Sequence, residues 1–302
     1  MPQYTNRSVA WLYIAVMLSG VMCCNRSAFA VVGGDIDPNV ATSPWAGVGS
    51  ISVGNAIFSG ALIAPRLVLT AAHAVARAQP GNVTFTLNLG PGPGTPLRAE
   101  AIFVHPGFRG FRGFHAGSEY DLALIRLRDA APKGTPIYRI ADEPLRQGTV
   151  VTFVGYGAAG TGDTGITSPA DGKVKRIGQN VADCFAFVPY PGNCGLSMFA
   201  GTGSPVLYVF DFDSPDGAIG VFGGPPTSNS RESTLGNGDS GSPAFMATSA
   251  GWEIVAVNTF VTRAESNGRL GVFGTVGGGV LVSGEARQWI DRSVPPTPTA
   301  EA

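Results

Sequence analysis

Val83-Thr84-Phe85-Thr86-Leu87-Asn88-Leu89 alternates apolar and polar side chains through seven residues. That period of two is what a strand with one buried face requires. Outward from it, Ile57–Ile63, Leu67–Thr70, Thr149–Val154, Glu253–Val257 and Gly271–Thr275 are short β-rich runs bounded by Gly or Pro. Helical signals are few. One short piece is expected after His73, and Glu285-Ala286-Arg287-Gln288-Trp289-Ile290 puts Ala286, Trp289 and Ile290 on one face. With 43 Gly and 23 Pro in 302 residues, turns are plentiful and long helices are disfavoured. The expected class is all-β with a short C-terminal helix. Loops are expected at 90–96, 105–118, 158–172 and 201–237, with an interdomain connection near 129–148.

The length allows two domains, each with its own core. Hydrophobic residues make up 44% and charged residues 14%, and the net charge of −1 lacks the electrostatic footprint of a nucleic-acid binder or of a protein held on an anionic membrane. The N-terminus reads as an export signal: Arg7, an apolar run from Val9 to Cys24, then the small-x-small site Ala28-Phe29-Ala30. The run of 16 residues is shorter than the ~20 of a spanning helix. Removal of residues 1–30 leaves a secreted or periplasmic chain with no later span. It also leaves Cys184 and Cys194, which in an oxidising compartment are expected to close one small loop. Residues 294–302, with three prolines, are expected to be an extended or disordered tail.

Three segments carry the chemistry: Thr70-Ala71-Ala72-His73, Asp121-Leu122-Ala123-Leu124 and Gly238-Asp239-Ser240-Gly241. Each alone also suits a plain strand end or turn. In the order His…Asp…Ser they supply a base, a carboxylate that orients it, and a nucleophile. The order differs from Asp…His…Ser and from Ser…Asp…His, the other two arrangements of the same parts. Only His73, His105 and His115 are available as a histidine base. His105 precedes Pro106 and suits a structural role, and His115 lies in a Gly/Arg/Phe-rich loop. In Gly236-Asn237-Gly238-Asp239-Ser240-Gly241-Ser242-Pro243, glycines on both sides permit a tight turn whose Gly238 and Ser240 N–H groups can face a developing oxyanion.

The run Leu62–His73, the Asp121 segment and the Gly236–Pro243 segment resemble the trypsin-like (chymotrypsin-fold) serine protease family. Further matches are Val104-His105-Pro106, Gly155-Tyr156-Gly157, Val255–Phe260 and Gly271-Val272-Phe273, so the likeness spans nearly all of residues 31–293. The Gly172–Asn180 and Phe210–Asp213 segments look most like secreted bacterial members. The resemblance implies two antiparallel Greek-key β-barrels with the active site between them. Residues 31–145 would form the first, with His73 and Asp121, and residues 146–293 the second, with Ser240 and the C-terminal helix. It implies an endopeptidase working through an acyl-enzyme, with peptide or protein substrates and no cofactor. Val31-Val32-Gly33-Gly34 looks like the family's mature N-terminus, whose freed ammonium pairs with the Asp before the serine, here Asp239.

The likeness also places substrate-pocket residues at Thr234, Thr259, Val261 and Gly271. Thr234 stands where trypsin has the carboxylate for Arg or Lys, so a basic P1 side chain is not expected; a buried guanidinium there would lack a partner. Phe58, Ala74 and Gly236 stand where relatives often have cysteines. No metal is expected, because Asp211, Asp213 and Asp216 miss the calcium-loop pattern and residue 222 is Phe. Two other readings remain, a glutamyl-type endopeptidase or esterase and a catalytically silent binding relative. Asn82-Val83-Thr84 is a glycosylation sequon only in a eukaryotic host.

Overall fold

The alternating stretch forms a strand in which Val83, Phe85 and Leu87 are fully buried and the two threonines between them are half covered. The computed structural model describes residues 29–110, 120–186, 206–224, 226–227, 232–263 and 268–293. In chain order the strands are β1 (Phe29–Ala30), β2 (Asp35–Ile36), β3 (Val48–Val53), β4 (Ala56–Ala64), β5 (Leu67–Thr70), β6 (Val83–Leu87), β7 (Thr95–Val104) and β8 (Ala123–Leu127). They continue as β9 (Val150–Gly155), β10 (Ala159–Thr161), β11 (Gly165–Ser168), β12 (Arg176–Val181), β13 (Cys184–Ala186), β14 (Leu207–Asp211), β15 (Pro243–Thr248), β16 (Gly251–Arg263) and β17 (Thr275–Leu281). Two α-helices are described, α1 (Ala72–Val75) and α2 (Gly284–Ser293). The all-β expectation therefore holds.

Strands β3-β4-β5-β8-β7-β6 close into a barrel. Its interior is a cluster that includes Ile51, Leu62, Val68, Phe85 and Ile125. Phe85 lies on Gly49 so closely that a Cβ there would meet its ring atoms at 2.5 Å. The second half is an eight-stranded antiparallel sheet in the order β13-β14-β17-β16-β15-β9-β12-β2, and β1-β10-β11 form a small separate sheet. A core cluster with Trp45, Leu69 and Tyr138 from the first half and Phe245, Ile254 and Val280 from the second joins the two.

Several expectations need correction. Residues 35–36, expected in the first barrel, do not belong to it, because β2 pairs with β12; β1, just ahead of the expected boundary, pairs with β10. This tether is reinforced by Lys175, fully buried, whose Nζ donates to the Trp45 carbonyl (2.9 Å) and faces Asp37 (3.4 Å). The run Gly271–Thr275 is a turn leading into β17, since Gly271 and Gly274 adopt φ of 80° and 83° and cannot continue an extended strand. β10, β11 and β14 lie in segments expected to be loops. β14 hides because all five of its residues are buried, so it carries no alternation. His73 lies inside α1 rather than before it. Among the described residues no helix is long and apolar enough to cross a membrane.

Replacing Phe85 by Ala empties the space over Gly49 and should cost about 3–5 kcal/mol. Urea unfolding should show a lower midpoint with an unchanged slope.

Candidate active site

β5 is buried along its whole length and passes through Ala71, which is extended (φ −79°, ψ 141°), into α1. Ala72, Ala74 and Val75 pack inward, so His73 is the residue of that turn that faces out. Small residues are needed here because Ala71 and Ala72 are completely covered. The side chain of Asp121, just before β8, is wholly buried and bonds His73 twice. Its Oδ1 accepts the backbone N–H (2.7 Å), and its Oδ2 lies 2.6 Å from Nδ1. An ionised carboxylate can only accept, so in the neutral imidazole the proton sits on Nδ1 and Nε2 is left as the acceptor. The ring of Phe58 stands edge-on to the imidazole at 6.3 Å.

Ser240 sits in a turn just before β15, flanked by Gly238 (φ 101°) and Gly241 (φ 85°). Side chains are excluded at both positions: a Cβ on Gly238 would press on Ala170 and the Ile57 carbonyl, and one on Gly241 on Thr70 and Ser59. Backbone bonds of the turn use the N–H groups of Asp239, Gly241 and Ser242 and leave out those of Gly238 and Ser240. His73 and Ser240 open onto one cavity of about 170 Å3, with Leu235, Asn237, Thr259, Phe260 and Val261 among its other walls. Among the described residues, no acidic side chain and no Lys or Arg lines it.

Beneath the serine, Asp239 is fully buried. Its Oδ1 accepts the Gly157 N–H and its Oδ2 the Gly236 N–H, both at 2.8 Å, and the Val31 backbone N–H also donates to it. Burial still dominates and pushes its carboxyl up to about 6, against the pull of these donors and of the Arg176 charge. Val31 is fully buried and adopts φ 49°, an unusual conformation for a β-branched residue.

Of the expected pocket residues, Thr259 and Val261 line the cavity and Thr234 and Gly271 do not. Thr234 is completely covered and gives its N–H to the Val32 carbonyl (3.0 Å). Gly271 packs against Ile166 and Val32 and gives its N–H to Thr275 Oγ1. Leu235, Gly236, Asn237 and Phe260 line it besides, Leu235 next to Thr234 in the chain and Phe260 between Thr259 and Val261. Ser59 was not anticipated either; it bonds to the serine turn from the opposite half. His105 is buried against Tyr120 and Trp289, away from the cavity. Asp211 Oδ2 accepts the N–H groups of Val221 and Phe222, and Asp216 caps Ser214 and Ala218. Cys184 is buried on β13, while Cys194 and His115 lie outside the described residues.

A family model described as a trypsin-like peptidase domain matches residues 58–209. That is half of the chain; it contains His73 and Asp121 and stops before Ser240. The chain is also 31% identical over 196 residues to the inactive CLIP domain-containing serine protease A3 of Aedes aegypti, covering 54% of this chain and 40% of that relative. It thus spans less than half the length of that protein.

In the chain still joined through Ala30, the Asp239 carboxyl binds its proton more tightly folded than unfolded. This contribution to stability is complete below the unfolded value near 4 and is lost as pH rises through about 6. Unfolding free energy measured in urea across that window should fall by on the order of 3 kcal/mol from this group. Asp213 and Asp183, pushed up to about 7 and about 8 mainly by burial, act in the same direction from the unfolded value near 4 up to those folded values. The Asp239→Asn variant therefore removes only its own share of the slope between about pH 4 and about 6 and leaves the fall above about 6 unchanged.

Proposed function

Because the chain belongs to the trypsin-like peptidase domain family, we propose that it is an exported serine endopeptidase with Ser240 as nucleophile, His73 as base and Asp121 as the group that orients the base. The observation that carries this reading is the pair of hydrogen bonds that Asp121 accepts from His73, with His73 and Ser240 opening onto one cavity. Ser240 attacks the peptide carbonyl and His73 Nε2 takes its proton. The N–H groups of Gly238 and Ser240 receive the charge that develops on the carbonyl oxygen. His73 then passes its proton to the leaving amine, Asp121 stabilises the imidazolium, and water repeats the sequence on the acyl-enzyme.

Removal of residues 1–30 accompanies export and frees the Val31 ammonium where its N–H already points at Asp239. A charge there replaces a peptide dipole beside the carboxylate and completes the turn. The Cys184–Cys194 pair closes a loop in the exported chain. A cavity of about 170 Å3 whose described lining holds no Lys, Arg, Asp or Glu suits a small or medium uncharged P1 side chain.

Ser240→Ala should reduce turnover roughly 10⁵–10⁶-fold without loss of fold, His73→Ala about as much, and the double variant little more. Near-native cleavage by Ser240→Ala would refute the assignment. Matched peptides with Arg, Ala, Leu and Glu at P1 test the pocket: kcat/KM should be highest for Ala or Leu, and a strong preference for Arg would refute this specificity.

A further inference from the structure

One side chain bridges the two halves of the molecule at the serine turn. Ser59, on β4 of the closed barrel, is fully buried. Its N–H donates to the Ser240 carbonyl (3.0 Å), and its own carbonyl accepts the Thr70 hydroxyl (2.8 Å), three residues before His73. Its hydroxyl bonds twice more, donating to the Gly238 carbonyl (3.0 Å) and accepting the Tyr156 N–H (3.0 Å). A backbone N–H can only donate, so the hydroxyl proton is committed to Gly238.

Gly238 needs such a hold. At φ 101° it has no side chain to hold it. The Gly238–Asp239 peptide is instead held from both sides, its N–H by the Gly236 carbonyl and its carbonyl by Ser59, and it links the two peptides that carry the Gly238 and Ser240 N–H groups. We propose that Ser59 is a positioning residue for the reaction, its hydroxyl locking Gly238 in the orientation that aims the Gly238 and Ser240 N–H groups at the oxyanion. It draws this rigidity from Tyr156 in the second half and from the strand that delivers His73, so base and oxyanion donors are held to one anchor.

This rests on Ser240 being the nucleophile, and the test separates the two claims. Ser59→Ala and Ser59→Cys are compared with the parent protein for kcat, KM, affinity for a peptide boronic acid that forms a tetrahedral adduct on serine, and affinity for a product-like peptide. Removing one oxyanion donor outright costs about 10²–10³ in kcat. Loosening its hold in Ser59→Ala should lower kcat and boronate affinity together, roughly ten- to a hundred-fold, with KM and product affinity within about two-fold. Ser59→Cys keeps a donor proton in similar volume and should recover part of the loss; it also serves if Ser59→Ala fails to fold. Unchanged kcat in a folded variant overturns the proposal, as does an equal loss in product-peptide affinity, which would mark a general structural role. A parent protein that forms no boronate adduct overturns the nucleophile reading, and the positioning role with it.

Discussion

The carboxylate of Asp239, closed off from water beneath the serine, is the constraint around which the second half is arranged. A buried carboxylate is costly unless donors surround it, and here three backbone N–H groups converge on it from separate places: Val31 near the start of the chain, Gly157 after β9, and Gly236 in the serine turn itself. Space is as demanding as charge. The carboxylate occupies the volume that side chains at Gly155 and Gly157 would fill. The Gly-Tyr-Gly run after β9 is therefore glycine on both sides for one reason, the closeness of that carboxylate. The tyrosine between them is buried and reaches the first barrel, bonding Asn88 through its hydroxyl.

Asp121 is the counterpart in the first half, and the two carboxylates show opposite uses of burial. Asp239 organises backbone, whereas Asp121 organises one side chain, fixing both the placement and the tautomer of His73. His73 rides on the closed barrel and Ser240 just ahead of a strand of the sheet opposite. Their alignment depends on what crosses the seam: the shared apolar cluster, the Lys175–Trp45 tether, and Ser59.

Much of this was legible in the chain, for identifiable reasons. β6 alternates because one of its faces is covered. β5 is a short apolar run of known direction, and the serine turn announces itself through two glycines that only φ above zero explains. What escaped notice depends on tertiary partners. β14 is covered throughout and so has no period. Residues 29–36 join the second half through pairing with strands more than a hundred positions away, which no local pattern records. Thr234 was placed in the pocket by counting back from Ser240. The backbone instead pairs Thr234 with Val32 and leaves its neighbour Leu235 at the cavity. Ser59 resembles any small strand residue until the turn it bonds is folded against it.

A fold of this kind does not by itself decide activity. The relative in Aedes aegypti is named as inactive, and the family match ends before Ser240. Scaffold likeness and chemistry must therefore be argued separately. In this chain the case for chemistry lies in side chains that a scaffold alone would not require. A wholly buried carboxylate is spent on holding an imidazole. The imidazole in turn shares its cavity with a serine flanked by left-handed glycines, next to two N–H groups that the turn itself leaves unused. Burying Asp121 has a desolvation cost, which the backbone and ring N–H groups of His73 offset together. It is on this set of side chains, and not on the scaffold, that the proposed catalytic role rests.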